Sequence, residues 1–319
     1  MATPLVESVM LREAFKVGKV YLKLENCRPT GSFKDRGMLL LCEKLKKDGV
    51  KRIICSSGGN AGLAATYAGK KLDLDVTVYV PSSTSEMMID RIRKHGAEVI
   101  VHGSIWNEAD EKAREVVEHD EGVAYVPPYD DELLWMGHST MIDELYKQLN
   151  GIAPDVIVAS VGGGGLLAGI LIGLERRGVD WLENTRVIAA ETEGTASMHE
   201  ALKSGKPVKL EKIASIASSL GALQVCDGVL KMALNHPAGT YSVLVSDKEA
   251  MEGCMLLLNE HRILCEPACG AAVAACRKLG KSMSIDSKRQ EELTVVIIVC
   301  GGGNISYDLL RYYLHSVGL

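Results

Sequence analysis

The segment Asp155-Val156-Ile157-Val158-Ala159-Ser160-Val161 runs straight into four glycines, Gly162 to Gly165, and then into Leu166-Leu167-Ala168-Gly169. An almost wholly apolar run bounded by a glycine turn reads as a strand buried on both faces, and the residues after the turn read as a helix. Glycines place no side chains in the way, so their backbone N–H groups can converge at the helix N-terminus and form an anion site. A strand, loop and helix of this kind commit a chain to an α/β architecture in which helices cover both faces of a parallel, twisted sheet.

The same rhythm recurs along the chain. Lys19 to Leu24 alternates as a strand does, and Arg52 to Cys55 is a strand that ends in Ser56-Ser57-Gly58-Gly59-Asn60-Ala61-Gly62. A helix through Ala64, Ala65, Tyr67 and Ala68 comes next, then a strand over Asp75 to Val80 and a helix around Met87 to Lys94. A strand over Ala97 to Val101 leads to a helix from Trp106 to His119. Val126-Pro127-Pro128-Tyr129-Asp130-Asp131 interrupts the rhythm and reads as a crossing between domains. Beyond it lie a helix holding Met141 to Leu149, strands over Arg186 to Glu191, Ser242 to Val245 and Thr294 to Cys300, and helices starting at Asp247 and Pro267. The expectation is a smaller domain, residues 28–131, inserted into a larger one made of residues 1–27 and 132–319.

With 36 basic against 41 acidic residues the net charge is -5, and no basic block occurs, which argues against a nucleic-acid partner. The N-terminus lacks a basic start followed by an apolar run, and no apolar stretch of about 18 residues occurs, so neither a signal peptide nor a membrane span is expected. A cytoplasmic protein acting on a small molecule is the resulting expectation. The nine cysteines contain no Cys-x-x-Cys pair and read mostly as small hydrophobes.

Lys34 stands in Thr30-Gly31-Ser32-Phe33-Lys34, after Pro29 and before the apolar run Met38 to Leu41. Ser32 reads as the N-cap of a helix with Lys34 in its first turn. There the positive end of the helix disfavours a second positive charge, and a neutral amine is what Schiff-base chemistry needs. An isolated lysine so placed is more often an ordinary surface residue. A second nest, formed by the Ser57 and Asn60 side chains with the N–H groups of Gly58, Gly59 and Ala61, suits a carboxylate or phosphate, or is simply a capped helix start. The tetraglycine admits a small phosphorylated cofactor, a structural turn or a dinucleotide, because Gly163-x-Gly165-x-x-Ala168 matches the dinucleotide fingerprint and Glu191 falls roughly where a ribose ligand would.

Taken together, Ser32-Phe33-Lys34-Asp35-Arg36-Gly37, Ser56 to Gly62, Gly162 to Gly165 and Cys300-Gly301-Gly302-Gly303-Asn304 resemble a fold-type II pyridoxal-phosphate enzyme. The fold implied is that of the tryptophan synthase β-like, two-domain α/β enzymes, and the group most resembled is the L-serine/L-threonine dehydratases. The resemblance spans nearly the whole chain and extends to Val126-Pro127-Pro128 and Glu266-Pro267-Ala268-Cys269-Gly270.

The resemblance implies a set of roles. Lys34 forms the Schiff base with pyridoxal 5'-phosphate, Phe33 packs on the pyridine ring, and Asn60 hydrogen-bonds the ring hydroxyl. Gly162, Gly163, Gly164 and Gly165 with Leu166 hold the phosphate. Ser57, Gly58, Asn60 and Ala61 grip the substrate carboxylate, and the cofactor lies between the domains. Cys300 faces the pyridine nitrogen, and a neutral thiol there leaves the nitrogen largely unprotonated, which suits β-elimination over transamination.

The implied reaction converts L-serine to pyruvate and ammonia, and L-threonine to 2-oxobutanoate and ammonia. Freed Lys34 removes the α-proton, and the cofactor phosphate protonates the departing hydroxyl. Glycine at position 58, where racemases of this fold carry a catalytic serine, implies weak racemisation and, against the alanine of liver-type dehydratases, a slightly larger cleft. A monovalent-cation site (K+) is implied at Glu191 with carbonyls of Thr195, Leu220 and Ala222. A homodimer is expected. A same-fold transferase of the cysteine or threonine synthase type is the nearest alternative, with a dinucleotide-binding oxidoreductase and a non-catalytic ligand-binding homologue more distant.

Overall fold

The computed structural model describes residues 2–319. Among them, in chain order, the strands are β1 (Leu5–Glu7), β2 (Lys19–Leu24), β3 (Arg52–Cys55), β4 (Asp75–Val80), β5 (Glu98–Val101), β6 (Val123–Tyr125), β7 (Val156–Ser160), β8 (Arg186–Thr192), β9 (Thr240–Val245) and β10 (Thr294–Val299). The chain divides into two compact units, Met1–Cys27 with Ser139–Leu319, and Arg28–His138. Where the sequence suggests a boundary at 131/132, this division falls at 138/139, inside the helix Glu132–Gln148.

The larger unit holds a sheet in the order β1-β2-β10-β7-β8-β9. Its β1–β2 pair is antiparallel, and each remaining pair is parallel. Every residue of β7 is buried, as are all but the first of β10. That is the burial a parallel strand has when helices cover both of its faces, and it explains why these two segments are unbroken in their apolarity. The helix Pro267–Ala275, wholly buried and built of small residues, packs on β7 and β8.

The smaller unit holds a parallel sheet in the order β5-β4-β3-β6. Successive residues of a strand point to opposite faces, and β3 illustrates it. Ile54 joins Tyr79, Ala109 and Ala113 in a core under the helix Trp106–His119. Ile53 lies toward the helix Asn60–Leu72 on the other face, against Gly69. The three-residue strands β1 and β6 carry too few residues to show an alternation in the sequence, and only their pairing defines them.

Candidate active site

The smaller unit positions the lysine. The helix Lys34–Lys47 begins at Lys34, so the amine does sit in the first turn, but the residue before it, Phe33, is the cap, and no side chain caps the helix. Ser32, expected to cap it, instead buries a hydroxyl that has no hydrogen-bond partner. The entry loop is tied down differently: the buried Asp35 accepts from the Thr30 N–H at 3.1 Å and also from the Thr30 hydroxyl. Lys34 Nζ donates to the Pro128 carbonyl at 2.5 Å and lies 5.2 Å from the centroid of the Phe33 ring.

His138 is buried with its ring edge-on to Phe33 at 4.8 Å between centroids. Burial, followed by the charges of Lys34 and Arg36, holds its imidazole well below the ordinary value, so it is neutral. Neither ring nitrogen has a hydrogen-bond partner. No motif singles this histidine out; only its burial against Phe33 does.

Directly after β3, the loop Ser57 to Gly59 turns into the helix Asn60–Leu72 with no side-chain cap, leaving the helix N-terminus open to an anion. One expected donor is already used: the Gly59 N–H donates to Ser57 Oγ at 3.3 Å. The larger cleft expected at Gly58 is not found. A β-carbon there would lie 2.6 Å from Thr84 Cγ2 and 3.2 Å from Val80 Cγ1, so neighbouring side chains already fill the space that glycine leaves.

The larger unit carries the second nest. Gly162 to Gly165 joins β7 to the helix Gly165–Arg177, whose N-cap, Gly164, has φ +100 and offers no side chain to the first N–H groups. A β-carbon on Gly164 would stand 2.5 Å from Val229 Cγ1, and the Gly163 carbonyl accepts from the Cys226 N–H at 3.1 Å. The cradle is therefore both bare and fixed. Leu166, in the first turn of that helix, is buried.

Cys300 follows β10, the strand paired with β7, so the tetraglycine and this thiol both lie at the carboxyl ends of adjacent strands, where ligands bind in sheets of this kind. Its Sγ lies 3.4 Å from Ser160 Oγ and 3.5 Å from Cys269 Sγ. The contact with Cys269, together with burial, raises its pKa well above the ordinary value, so the thiol stays neutral.

Glu191 is fully buried near the end of β8 and caps the helix Ser197–Ser204, accepting from the N–H groups of Met198 at 2.8 Å and His199 at 2.7 Å. Burial outweighs these bonds and pushes its carboxyl up to about 8. A glutamate so enclosed is not free to reach a ribose, which removes the dinucleotide reading of the glycine loop. Of its expected companions, Thr195 bonds Thr192 through its hydroxyl, and the Leu220 carbonyl accepts from the Ala222 N–H at 2.8 Å. Among the described residues no group of three or more His, Cys, Asp or Glu is arranged to hold a metal ion, and no helix is long and apolar enough to cross a membrane.

Each unit by itself carries features that suit a phosphorylated aldehyde cofactor. In the larger unit the tetraglycine is a bare nest with no room for a β-carbon at Gly164; in the smaller unit a helix starts at a lysine, and buried polar atoms of Ser32 and His138 in that unit have no hydrogen-bond partner.

Comparison with known proteins points the same way. Residues 1–301 match the family model described as "Pyridoxal-phosphate dependent enzyme". The chain is 40% identical over 319 residues to the Homo sapiens "L-serine dehydratase/L-threonine deaminase", with 99% of this chain and 95% of that protein covered. It is 39% identical over 331 residues to "L-serine dehydratase" of Dictyostelium discoideum, covering 99% of this chain and 91% of that protein. A solved structure, a fungal L-serine ammonia-lyase from Rhizomucor miehei, superposes with a TM-score of 0.90 at 33% identity over 99% of this chain and 98% of that one.

Proposed function

The chain belongs to the pyridoxal-phosphate dependent enzymes, and from that premise we propose that it is an L-serine/L-threonine ammonia-lyase that yields pyruvate or 2-oxobutanoate and ammonia. The observation that carries this reading is Lys34 at a helix start, its amine held by the Pro128 carbonyl. An amine at a helix start lies in a field that disfavours its charged form.

When bound, pyridoxal phosphate supplies an electron sink that makes the α-proton of an amino acid acidic. Gly162, Gly163, Gly164, Gly165 and Leu166 would bind its phosphate through backbone N–H groups, and Lys34 would hold its aldehyde carbon. Phe33 would pack on its ring, Asn60 would bond the ring hydroxyl, and Cys300, kept neutral by Cys269 and burial, would meet the ring nitrogen without charging it.

In the reaction Lys34 Nζ receives the α-proton, and the open helix start at Ser57, Gly58, Asn60 and Ala61 binds and orients the substrate carboxylate. Gly58 brings no acid–base side chain to the opposite face, which supports elimination over racemisation. We further propose an alkali cation such as K+ beside Glu191, where it would offset the cost of a buried carboxylate, and a cytoplasmic homodimer, for which sedimentation should give twice the chain mass.

The test is ketoacid formation from L-serine and from L-threonine by the purified holoenzyme beside Lys34→Ala. Wild type is expected to form both products, and the variant to lose at least about 10³-fold in rate. A wild type that retains the cofactor yet forms neither ketoacid refutes the reading. Cysteine formation from serine plus sulfide would identify the transferase instead.

A further inference from the structure

A buried polar cluster stands at the carboxyl ends of β3 and β6. Asp110, on the helix Trp106–His119, accepts at Oδ1 from Ser56 Oγ at 2.6 Å and from the Tyr125 phenol at 2.5 Å. Ser56 Oγ and the Tyr125 hydroxyl are themselves 2.8 Å apart. Two hydroxyl protons serve these three contacts, so the carboxylate accepts in every arrangement that uses both of them inside the cluster. The other oxygen, Oδ2, accepts from Arg114 Nε at 2.8 Å, and the Arg114 guanidinium lies 4.1 Å from the centroid of the Tyr125 ring. Ser56 is 0% exposed and Asp110 9%. Burial works against charge on Asp110, but bonds from Arg114, Ser56 and Tyr125 and the charge of Arg114 overcome it and hold the carboxyl below its usual range.

What this cluster joins gives it meaning. Ser56 is one peptide from Ser57, where the open loop begins, and Tyr125 ends β6 just before Val126-Pro127-Pro128. The Val126 N–H continues the pairing to the Ile54 carbonyl at 2.8 Å, and the Pro128 carbonyl receives Lys34 Nζ. One carboxylate thus locks together the two strand ends from which the carboxylate-binding loop and the acceptor of the lysine depart.

We infer that Asp110 is a positioning residue, which with Ser56 and Tyr125 sets the spacing between the Ser57–Ala61 loop and the Pro128 carbonyl that orients Lys34. The inference rests on the proposed function, in which that loop holds the substrate carboxylate and Lys34 moves the α-proton. Packing alone could hold two strands together; fixing the direction in which each strand end leaves requires directional bonds to a shared acceptor.

The experiment uses holoenzyme of wild type, Asp110→Ala and Tyr125→Phe, with amide hydrogen exchange read beside steady-state kinetics on L-serine. Asp110→Ala should speed exchange in residues 57–62 by at least about fivefold and leave β4 unchanged. Its KM should rise and its kcat fall, each by about tenfold, because the loop that would bind the carboxylate and the acceptor that orients Lys34 lose their common tie. Tyr125→Phe, which keeps the Ser56–Asp110 bond, should show the same pattern at smaller amplitude. Exchange at 57–62 unchanged in both variants overturns the inference, as does exchange accelerated equally through β4, which would make the cluster a general structural tie. Were wild type to form no ketoacid at all, the proposed function would fail, and the exchange data would still decide whether Asp110 fixes the loop.

Discussion

Thr84 stands where a β-carbon on residue 58 would have to go: its Cγ2 lies 2.6 Å and its Oγ1 2.9 Å from that point. Gly58 and Thr84 therefore pack against each other beside the loop that would hold the substrate, and the room at position 58 is a property of the pair. Gly58→Ala alone should force Thr84 to shift and lower kcat/KM, more for L-threonine, with its extra methyl, than for L-serine, by roughly 1–3 kcal/mol. Gly58→Ala combined with Thr84→Ala should recover most of the loss. Additive losses in the double variant would show that the two residues do not share that room.

Gly164 has φ +100 with Val229 Cγ1 2.5 Å from where a β-carbon would sit. Gly164→Ala should cost about 2–4 kcal/mol through backbone strain and the clash combined. A loop pushed out of shape no longer converges its N–H groups, so the Kd for pyridoxal phosphate, read by titrating apoenzyme, should rise at least about tenfold. An unchanged Kd alongside a lowered Tm would mean that this glycine serves folding alone.

Cys300 is neutral and packed between Ser160 Oγ and Cys269 Sγ. Cys300→Ser keeps a neutral group and should retain activity within about tenfold. Cys300→Asp introduces a charge that favours a protonated ring nitrogen. It should add long-wavelength absorbance with substrate bound and increase side reactions. A spectrum identical to wild type would place Cys300 away from the ring.

Burial pushes the Glu191 carboxyl up to about 8 from an ordinary 4.5. The folded protein therefore keeps a proton that the unfolded chain releases, and stability from this group is complete below the lower value and lost as pH rises through the upper one. In buffer free of alkali ions, denaturant unfolding should show wild type losing a few kcal/mol between about pH 5 and pH 8.5. Glu191→Gln, which cannot titrate, should lack that component of the slope. Added K+ should flatten the wild-type curve if the cation sits beside the carboxylate. A wild-type slope matching that of Glu191→Gln in the absence of K+ would show that Glu191 does not titrate in this range.

The division of labour between sequence and tertiary structure follows from the range of the forces involved. Strand and helix identity, the two glycine-bearing turns and the lysine at a helix start depend on neighbours within a few residues, so β7 and the loop after it were legible from Val156 to Gly165 alone. The motifs shared with a known family extended that reading to the cofactor and to Cys300. Pairing partners are another matter. That β10 lies beside β7, bringing Cys300 to within 3.4 Å of Ser160, and that β6 lies beside β3, bringing Tyr125 to Ser56, depends on contacts between segments far apart in the chain. From the sequence alone came the order of strands and helices and the residues that the proposed chemistry uses. Only the tertiary structure decided that Thr84 fills the gap at Gly58, that Glu191 caps a helix and that Asp110 ties two strand ends, because burial and hydrogen-bond partnership exist only once distant segments meet.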